Sequence, residues 1–125
     1  MAQKIELGLD TFGDIQAGPD GQLLGHAQVI RNVIDEAVLA DEVDVHCIGL
    51  GEHHRPDFAI SSPEVLLAAI ASRTKRIHLA SSVTVLSSDD PIRVFERFST
   101  FRCSVTIYRI TRRYSTISSI CSLRS

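Results

Sequence analysis

Two histidines and two carboxylates lie within six consecutive residues of one polar loop: Glu52, His53, His54 and Asp57. Near neutral pH an imidazole can accept or donate a proton, and a carboxylate beside it can set which ring nitrogen carries that proton. The loop follows an apolar run at 45–50 with the length of a buried strand, and α/β proteins place their sites at such strand ends. The pattern favours acid–base chemistry, with a solvated loop that caps neighbouring helices as the alternative.

The same segment does not predict a metal site. Adjacent histidines point to opposite sides of an extended chain, and neither an HExxH helix nor a CxxC pair accompanies them. The cysteines at positions 47, 103 and 121 lack the pairing and density of a disulfide scaffold. Cys47 lies inside an apolar run, which indicates a small core residue. Gly49 and Gly51 lack the third glycine of a dinucleotide fingerprint, so they indicate close packing at a strand end.

Three predicted strands alternate with three predicted helices. Ile5, Leu7 and Leu9 alternate with polar residues or glycine, as in a strand, and further strands are predicted at 45–50 and 77–83. Helices are predicted from His26, Ser62-Pro63 and Asp90-Pro91, the last two with an N-cap residue before proline. The expected buried stripes are Val29, Ile30, Val33, Ile34, Ala37 and Val38; Val65, Leu66, Ala69 and Ile70; and Ile92, Phe95 and Phe98.

This alternation predicts a parallel sheet with right-handed crossovers. Two closures are consistent with it. The first is a small open parallel α/β sheet, which can be complete at this length. The second is the first three βα units of a truncated TIM-like (β/α)8 barrel, a fold that typically takes about 250 residues.

Composition limits the class of protein. The 125 residues are 44% hydrophobic and 22% charged with a formal net charge of −2, which is typical of one globular domain or part of one. This charge excludes nucleic-acid binding driven by bulk charge, and no apolar run approaches the roughly 20 residues of a membrane span. No signal-peptide core follows Met1. We therefore expect a cytoplasmic protein without nucleic-acid or membrane partners.

Several segments carry a family resemblance. They are IGLGEHHRPDF at 48–58, SSPE at 61–64, RTKRIHL at 73–79 and SSVTVL at 81–86. In this order and spacing they are similar to the bacterial luciferase-like superfamily of flavin-dependent monooxygenases. The resemblance runs from about residue 4 to residue 100. It implies a TIM-like barrel, and so favours the truncated barrel over the open sheet.

The resemblance implies an enzyme that uses reduced FMN and molecular oxygen on a small organic substrate, or a deazaflavin-dependent oxidoreductase of the same superfamily. It implies that His53 acts as a base near the flavin, flanked by Glu52 and His54 in the same motif. Ser81, Ser82 and Val83 match the strand end whose backbone packs against the flavin ring, often through a non-prolyl cis peptide. The implied protein partners are a flavin reductase and, for the intact parent, a second copy in a homodimer. No metal is implied.

The resemblance ends near residue 100, where the composition changes. Residues 1–100 carry 8 basic and 15 acidic residues, a net charge of −7, whereas 101–125 carry 5 arginines and no acid, a net charge of +5. One coding sequence for 101–106, read one base later, encodes the Leu-Asp-Ala-Leu-Ser-like stretch with which the family continues. We therefore expect 1–100 to be the N-terminal part of the barrel domain. We expect 101–125 to be a frameshifted, non-family tail, loosely packed from about 103 onward with any strand confined to about 104–110.

Two hypotheses from different classes follow. The first is an incomplete monooxygenase, inactive as this chain alone because the later strands that hold the flavin phosphate in the family are absent. The second is a small α/β binding module without catalysis.

Overall fold

The computed structural model describes residues 5–102, and the expectations for 103–125 lie outside this range. Strands and helices alternate in the order β1 (Gly8–Thr11), α1 (His26–Glu42), β2 (Cys47–Gly51), α2 (Pro63–Ala71), β3 (His78–Val83) and α3 (Pro91–Arg102). The strands form one parallel sheet in the order β1-β2-β3. The predicted alternation and the parallel pairing are both confirmed.

The central strand β2 separates the two faces of the sheet. Its Ile48 and Leu50, together with Leu79 of β3, are buried in the apolar core that the helices cover. Strand side chains alternate between faces, so the residues between these lie on the opposite face. The register pairs Gly49 with Asp10 on one side and with Ala80 on the other. The face away from the helices is therefore built largely of small residues.

Helix α1 begins at His26, as predicted. Its buried residues are Val29, Val33, Ala37 and Ala40, which share one side of a helix with 3.6 residues per turn. Helix α2 begins at Pro63 with Ser62 at the N-cap position, also as predicted. Ser62 makes no side-chain capping bond, and the fully buried Pro63 instead anchors the start of the helix.

Parts of the predicted stripes on α2 and α3 were wrong. Val65 is exposed on α2, and Leu67 is buried instead. On α3 the buried residues are Val94 and Phe101, with the half-buried Phe98 packed beside them. The predicted Ile92 and Phe95 are exposed. Both sets on α3 are apolar and regularly spaced, and the sequence does not show which set faces the sheet and which faces away from it.

Strand β1 begins three residues later than its alternating pattern predicted. Ile5 and Leu7 precede the strand, and both side chains are exposed, as is Leu9 within it. The pattern itself is sound, because Leu9 pairs with Ile48 and so lies on the helix-facing side of the sheet. In the described residues no helix covers that side of β1, so its apolar residues remain in contact with solvent.

Asp41, near the end of α1, ties that helix to the segment before β3. Its carboxylate accepts backbone N–H bonds from Lys75 at 3.1 Å, Arg76 at 2.8 Å and Ile77 at 2.7 Å. Desolvation acts to raise the pKa of Asp41, but these three bonds and the Arg76 charge outweigh it and lower the pKa below 3.8. The ionised carboxylate thus fixes the entry into β3.

Among residues 5–102, no helix is both long enough and apolar enough to cross a membrane.

Candidate active site

The carboxyl ends of the three strands meet at one edge of the sheet, where small residues of β2 and β3 lie beneath side chains from the neighbouring segments. A Cβ added to Gly49 would lie 3.0 Å from the Asp10 carboxylate and closer still to the Ser82 hydroxyl. A Cβ added to Gly51 would overlap the ring of Phe12. Ala80 completes the row on β3. Only glycine fits at the two β2 positions, because neighbouring side chains already fill the space above the backbone.

An irregularity in β3 directs the Ser82 side chain toward the strand-end edge of the sheet. Leu50 pairs with Ser81, but the next residue of β2, Gly51, pairs with Val83. Ser82 is therefore the extra residue of a β-bulge, a feature that re-aims side chains beside active sites. Its hydroxyl donates a hydrogen bond to Asp10 Oδ1 across the intervening β2. The Ser81 and Thr84 hydroxyls are 2.8 Å apart and close the turn that follows.

The loop after β2 is held by main-chain bonds to the loop after β1. Ala59 N–H donates to Gly13 O at 2.8 Å, and Ile15 N–H donates to Asp57 O at 2.9 Å. Gly13 has a φ of 69°, a left-handed conformation that glycine adopts without strain. The titratable loop is therefore anchored at several points, and its side chains start from a defined backbone.

His53 packs against two aromatic rings, Phe12 and Phe58, which also contact each other. Its imidazole stacks on Phe58 with 4.2 Å between ring centroids and 19° between planes, and it lies 5.3 Å from the Phe12 ring. The His53 N–H donates to Ile60 O at 2.9 Å, which fixes the backbone. Within residues 5–102, neither ring nitrogen of His53 has a hydrogen-bond partner. In the described part of the chain the ring is held by packing, and both nitrogens are available there for proton transfer.

Glu52 has a different environment from His53. Only 8% of its side chain is exposed, and Oε2 accepts the Val85 N–H at 2.9 Å. Its other oxygen, Oε1, lies 2.5 Å from His54 Nε2. The carboxylate thus joins the end of β2 to the segment after β3. In this structure it is bonded to His54 and not to His53.

The remaining loop residues point outward. The His54 side chain is 56% exposed. Arg55 donates two hydrogen bonds to the Asp57 carboxylate, at 3.0 and 2.8 Å, and its guanidinium lies 5.8 Å from the centroid of the Phe58 ring. Side chains this exposed contribute little to stability through ion pairing. The six-residue motif therefore divides into one half-buried imidazole, one buried carboxylate and a solvated outer part.

The predicted flavin-facing residues lie next to the histidine loop. The main chains of the two segments are joined directly, because Glu52 N–H donates to Val83 O at 3.2 Å. Every peptide bond among the described residues is trans, so the cis bond often found in the family is absent from 81–83 here.

Cys47 belongs to the sheet and not to the site. Burial, with smaller contributions from Glu6 and Asp10, raises the pKa of its thiol, which disfavours the reactive thiolate. Across residues 5–102, no cluster of three or more His, Cys, Asp or Glu side chains could hold a metal ion.

Three residues at this edge were not predicted from the sequence. Asp10 was interpreted only as the polar partner in an alternating strand, although it ends one of three parallel strands whose carboxyl ends must meet. Phe12 and Phe58 lie in loops, where no periodicity marks them. Their positions immediately beside strand ends were the available signal.

Comparison with known proteins gives a consistent result. Residues 7–103 match the family model described as luciferase-like monooxygenase. The chain is 34% identical over 84 residues to N-acetyl-S-alkylcysteine monooxygenase of Bacillus subtilis (strain 168), an alignment that covers 63% of this chain and 25% of that protein.

Two solved structures share the fold. Apo-MsnO8 superposes with a TM-score of 0.72 at 30% identity, covering 80% of this chain and 29% of the other. The second is the oxygenating constituent of 3,6-diketocamphane monooxygenase from Pseudomonas putida, a type II Baeyer–Villiger monooxygenase in complex with FMN. It superposes with a TM-score of 0.66 at 27% identity, covering 75% of this chain and 25% of the other.

These matches confirm the predicted fold class, because most of this chain superposes on part of each of the two structures. The chain spans about a quarter of the length of the curated relatives it matches. The family model covers every element described above. The chain therefore belongs to the luciferase-like monooxygenase family.

Proposed function

We propose that this chain is the N-terminal part of a flavin-dependent monooxygenase that uses molecular oxygen to oxidise a small organic substrate. The observation that carries the proposal is the position of His53. Its imidazole packs against two aromatic rings without a polar partner in residues 5–102, and its loop is bonded to the end of β3 through Glu52 N–H and Val83 O. Such an imidazole can exchange a proton with a bound ligand at neutral pH.

We assign the flat cofactor to the strand-end edge beside the end of β3. The backbone of Gly49 and Gly51 is covered by Ser82, Asp10 and Phe12, so a flat ring at this edge would meet those side chains. Ser81, Ser82 and Val83 would hold the ring through their backbone. Reduced FMN supplies the electrons that activate molecular oxygen when it is bound. The FMN complex of the Pseudomonas putida relative supports FMN over a deazaflavin as the cofactor.

Each residue of the histidine motif has a separate task in this proposal. A ring nitrogen of His53 accepts or returns the proton of the substrate, and Phe12 and Phe58 exclude water from one side of it. Glu52 is a positioning residue, because its carboxylate joins the histidine loop to the cofactor-facing segment through Val85 N–H. His54 bonds to Glu52 from the solvent side.

The domain boundaries form part of the proposal. We assign 1–100 to the N-terminal part of the barrel domain and 101–125 to a tail produced by a frameshift. The net charge of the chain changes from −7 in the first segment to +5 in the second, and this change supports the boundary. Since the chain spans about a quarter of its relatives, we expect it to be inactive alone. We also propose that the intact parent is a homodimer located in the cytoplasm, and that a flavin reductase supplies its reduced flavin.

The coding DNA tests the proposal. Read one base later from about codon 101, it is expected to continue through a glycine-rich turn into an apolar fourth strand. The protein expressed in that frame is expected to bind FMN and to consume oxygen with a flavin reductase present. A closed downstream frame would contradict the frameshift.

Substitutions in the restored protein test the site. We expect His53→Gln to remove most of the turnover and His54→Gln to retain it, and equal effects would contradict the role of His53. The unmodified chain is expected to bind FMN poorly in an absorbance titration. Micromolar binding with turnover would show that it is not incomplete. A monodisperse chain that unfolds cooperatively, with no flavin binding even in the restored frame, would instead favour a non-catalytic α/β binding module.

A further inference from the structure

A hydrogen bond between Asp10 and Ser82 joins the first and third strands at the candidate site. The Ser82 hydroxyl donates to Asp10 Oδ1, although the two residues are 72 positions apart in the sequence. β1 and β3 do not pair with each other in the described sheet, because β2 lies between them. The bond is made by two side chains, and it spans the width of the central strand.

Gly49 of β2 leaves the room that this bond needs. Its register partners are Asp10 on β1 and Ala80 on β3. A Cβ at Gly49 would lie 3.0 Å from Asp10 Oδ1 and would overlap the hydroxyl oxygen of Ser82. A side chain at this position of β2 would separate the two groups, so the bond depends on the glycine.

The bond holds the β3 bulge from the β1 side. Ser82 is the extra residue of the bulge, so it has no register partner on β2. The next residue, Val83, accepts the Glu52 N–H at 3.2 Å through its carbonyl oxygen. Asp10 therefore holds the segment 81–83 from one side, and the histidine loop holds it from the other.

The direction of the bond determines what this edge offers to a ligand. A carboxylate oxygen accepts hydrogen bonds and donates none, so the hydroxyl hydrogen of Ser82 is used in its bond to Asp10. The lone pairs of the Ser82 oxygen remain. Ser82 is half-buried and Asp10 is exposed, so the pair lies at the surface of the described residues. The pair thus presents acceptors, which complement an N–H group of a ligand.

We propose that Asp10 is a positioning residue of the cofactor site. It fixes the Ser82 hydroxyl so that the oxygen of that hydroxyl accepts a hydrogen bond from an N–H group of the flat ligand. This inference rests on the proposed function, because it takes the edge beside the end of β3 to hold the flavin ring, which carries such a group. Asp10 acts through Ser82 and exchanges no proton with the ligand.

Nuclear magnetic resonance of the full chain tests the positioning role without a cofactor. Asp10→Ala is expected to release the Ser82 side chain, so that its Hα–Hβ couplings change from those of one rotamer to averaged values. We also expect the Glu52 amide to exchange about ten-fold faster, because its acceptor on Val83 is less firmly held. Ser82→Ala is expected to speed the exchange of the Glu52 amide equally, and the double variant no further.

Two further variants make the test specific. Asp10→Asn keeps an oxygen that can accept the hydroxyl hydrogen, so we expect it to retain the Ser82 rotamer and the slow exchange. Asp14→Ala is the control, since Asp14 is an exposed carboxylate on the loop after β1. A Ser82 side chain that stays in one rotamer in Asp10→Ala overturns the inference. Additive effects of Asp10→Ala and Ser82→Ala also overturn it, as do equal effects of Asp14→Ala.

FMN binding separates this inference from the proposed function. Dissociation constants for FMN are measured with the restored protein and its variants. We expect Asp10→Ala and Ser82→Ala each to weaken FMN binding about ten-fold, and Asp10→Asn to weaken it less. FMN bound equally tightly by the unsubstituted protein and by Asp10→Ala supports the function and overturns the inference. A restored protein that binds no FMN contradicts the flavin function, whereas the couplings and exchange rates of the chain alone still decide the positioning role of Asp10.

Discussion

At the residue scale, Gly51 is packed tightly against the ring of Phe12 at the candidate site. The ring of Phe12 occupies the space where a Cβ would lie, and that ring also packs beside His53. We predict that Gly51→Ala lowers the free energy of unfolding by about 1–3 kcal/mol, the usual cost of overpacking. Gly25→Ala is the control, because a Cβ there meets nothing within 4 Å and φ is −71°. Urea denaturation measures both, and equal stability of the two variants would show that Phe12 moves aside freely.

Glu52 and His54 are adjacent in the motif but differ in what they support. Glu52 Oε2 accepts the Val85 N–H from a largely buried position, whereas His54 is mostly in solvent. We predict that Glu52→Ala costs about 1–2 kcal/mol and speeds exchange of the Val85 amide, because a buried donor loses its acceptor. His54→Ala is expected to change the free energy of unfolding by no more than about 0.5 kcal/mol and to leave the exchange of the Val85 amide unchanged. An unchanged Val85 exchange rate in Glu52→Ala would contradict the positioning role.

Much of this residue-level picture was accessible from the sequence. The types and spacing in the motif identified the loop, and the family resemblance singled out His53. The contacts were not accessible, because they join distant segments. Nothing in the sequence indicates that Glu52 bonds to His54 instead of orienting His53, or that Phe12 and Phe58 pack against the imidazole. Those relations depend on how the loops after β1 and β2 pair.

At the scale of elements, the Asp41 carboxylate links the end of α1 to the segment before β3. Asp41 accepts three backbone bonds, and together they lower its pKa despite desolvation. A carboxyl group whose pKa is lowered on folding stabilises the protein above its ordinary pKa of 3.8, and this stabilisation is lost as the pH falls through the folded-state pKa. We predict that Asp41→Asn costs about 1–2 kcal/mol at pH 7 and less at low pH.

Asp35→Asn is the matched control for Asp41→Asn, on the same helix. Asp35 forms an exposed ion pair with Arg73 at 3.0 Å, with side chains 66% and 52% exposed. Such pairs contribute up to about 1 kcal/mol and often nothing measurable. Chemical denaturation between pH 3 and pH 7 compares the two variants. If the loss in Asp41→Asn did not shrink toward low pH, the backbone bonds would not depend on the charge of Asp41.

Element order was predictable because apolar period and start signals are local properties. The choice of buried stripe was not, because both candidate sets on α3 have helical spacing. Val94 and Phe101 face the core, while Ile92 and Phe95 remain outside. In the described residues, α3 therefore carries apolar side chains both toward the core and toward solvent.

For the whole molecule, the open sheet predicts unequal stability among its strands. β2 is bonded on both sides, whereas β1 and β3 each have one free edge in the described sheet, and Leu9 of β1 is also exposed. In native-state hydrogen exchange of this chain, we expect the β1 amides that bond to β2 to exchange at least about ten-fold faster than those that join β2 to β3, a difference of about 1.4 kcal/mol in opening free energy. Equal protection of β1 and β2 in this chain would show that the outer edge of β1 is already covered, and would contradict an open edge at β1.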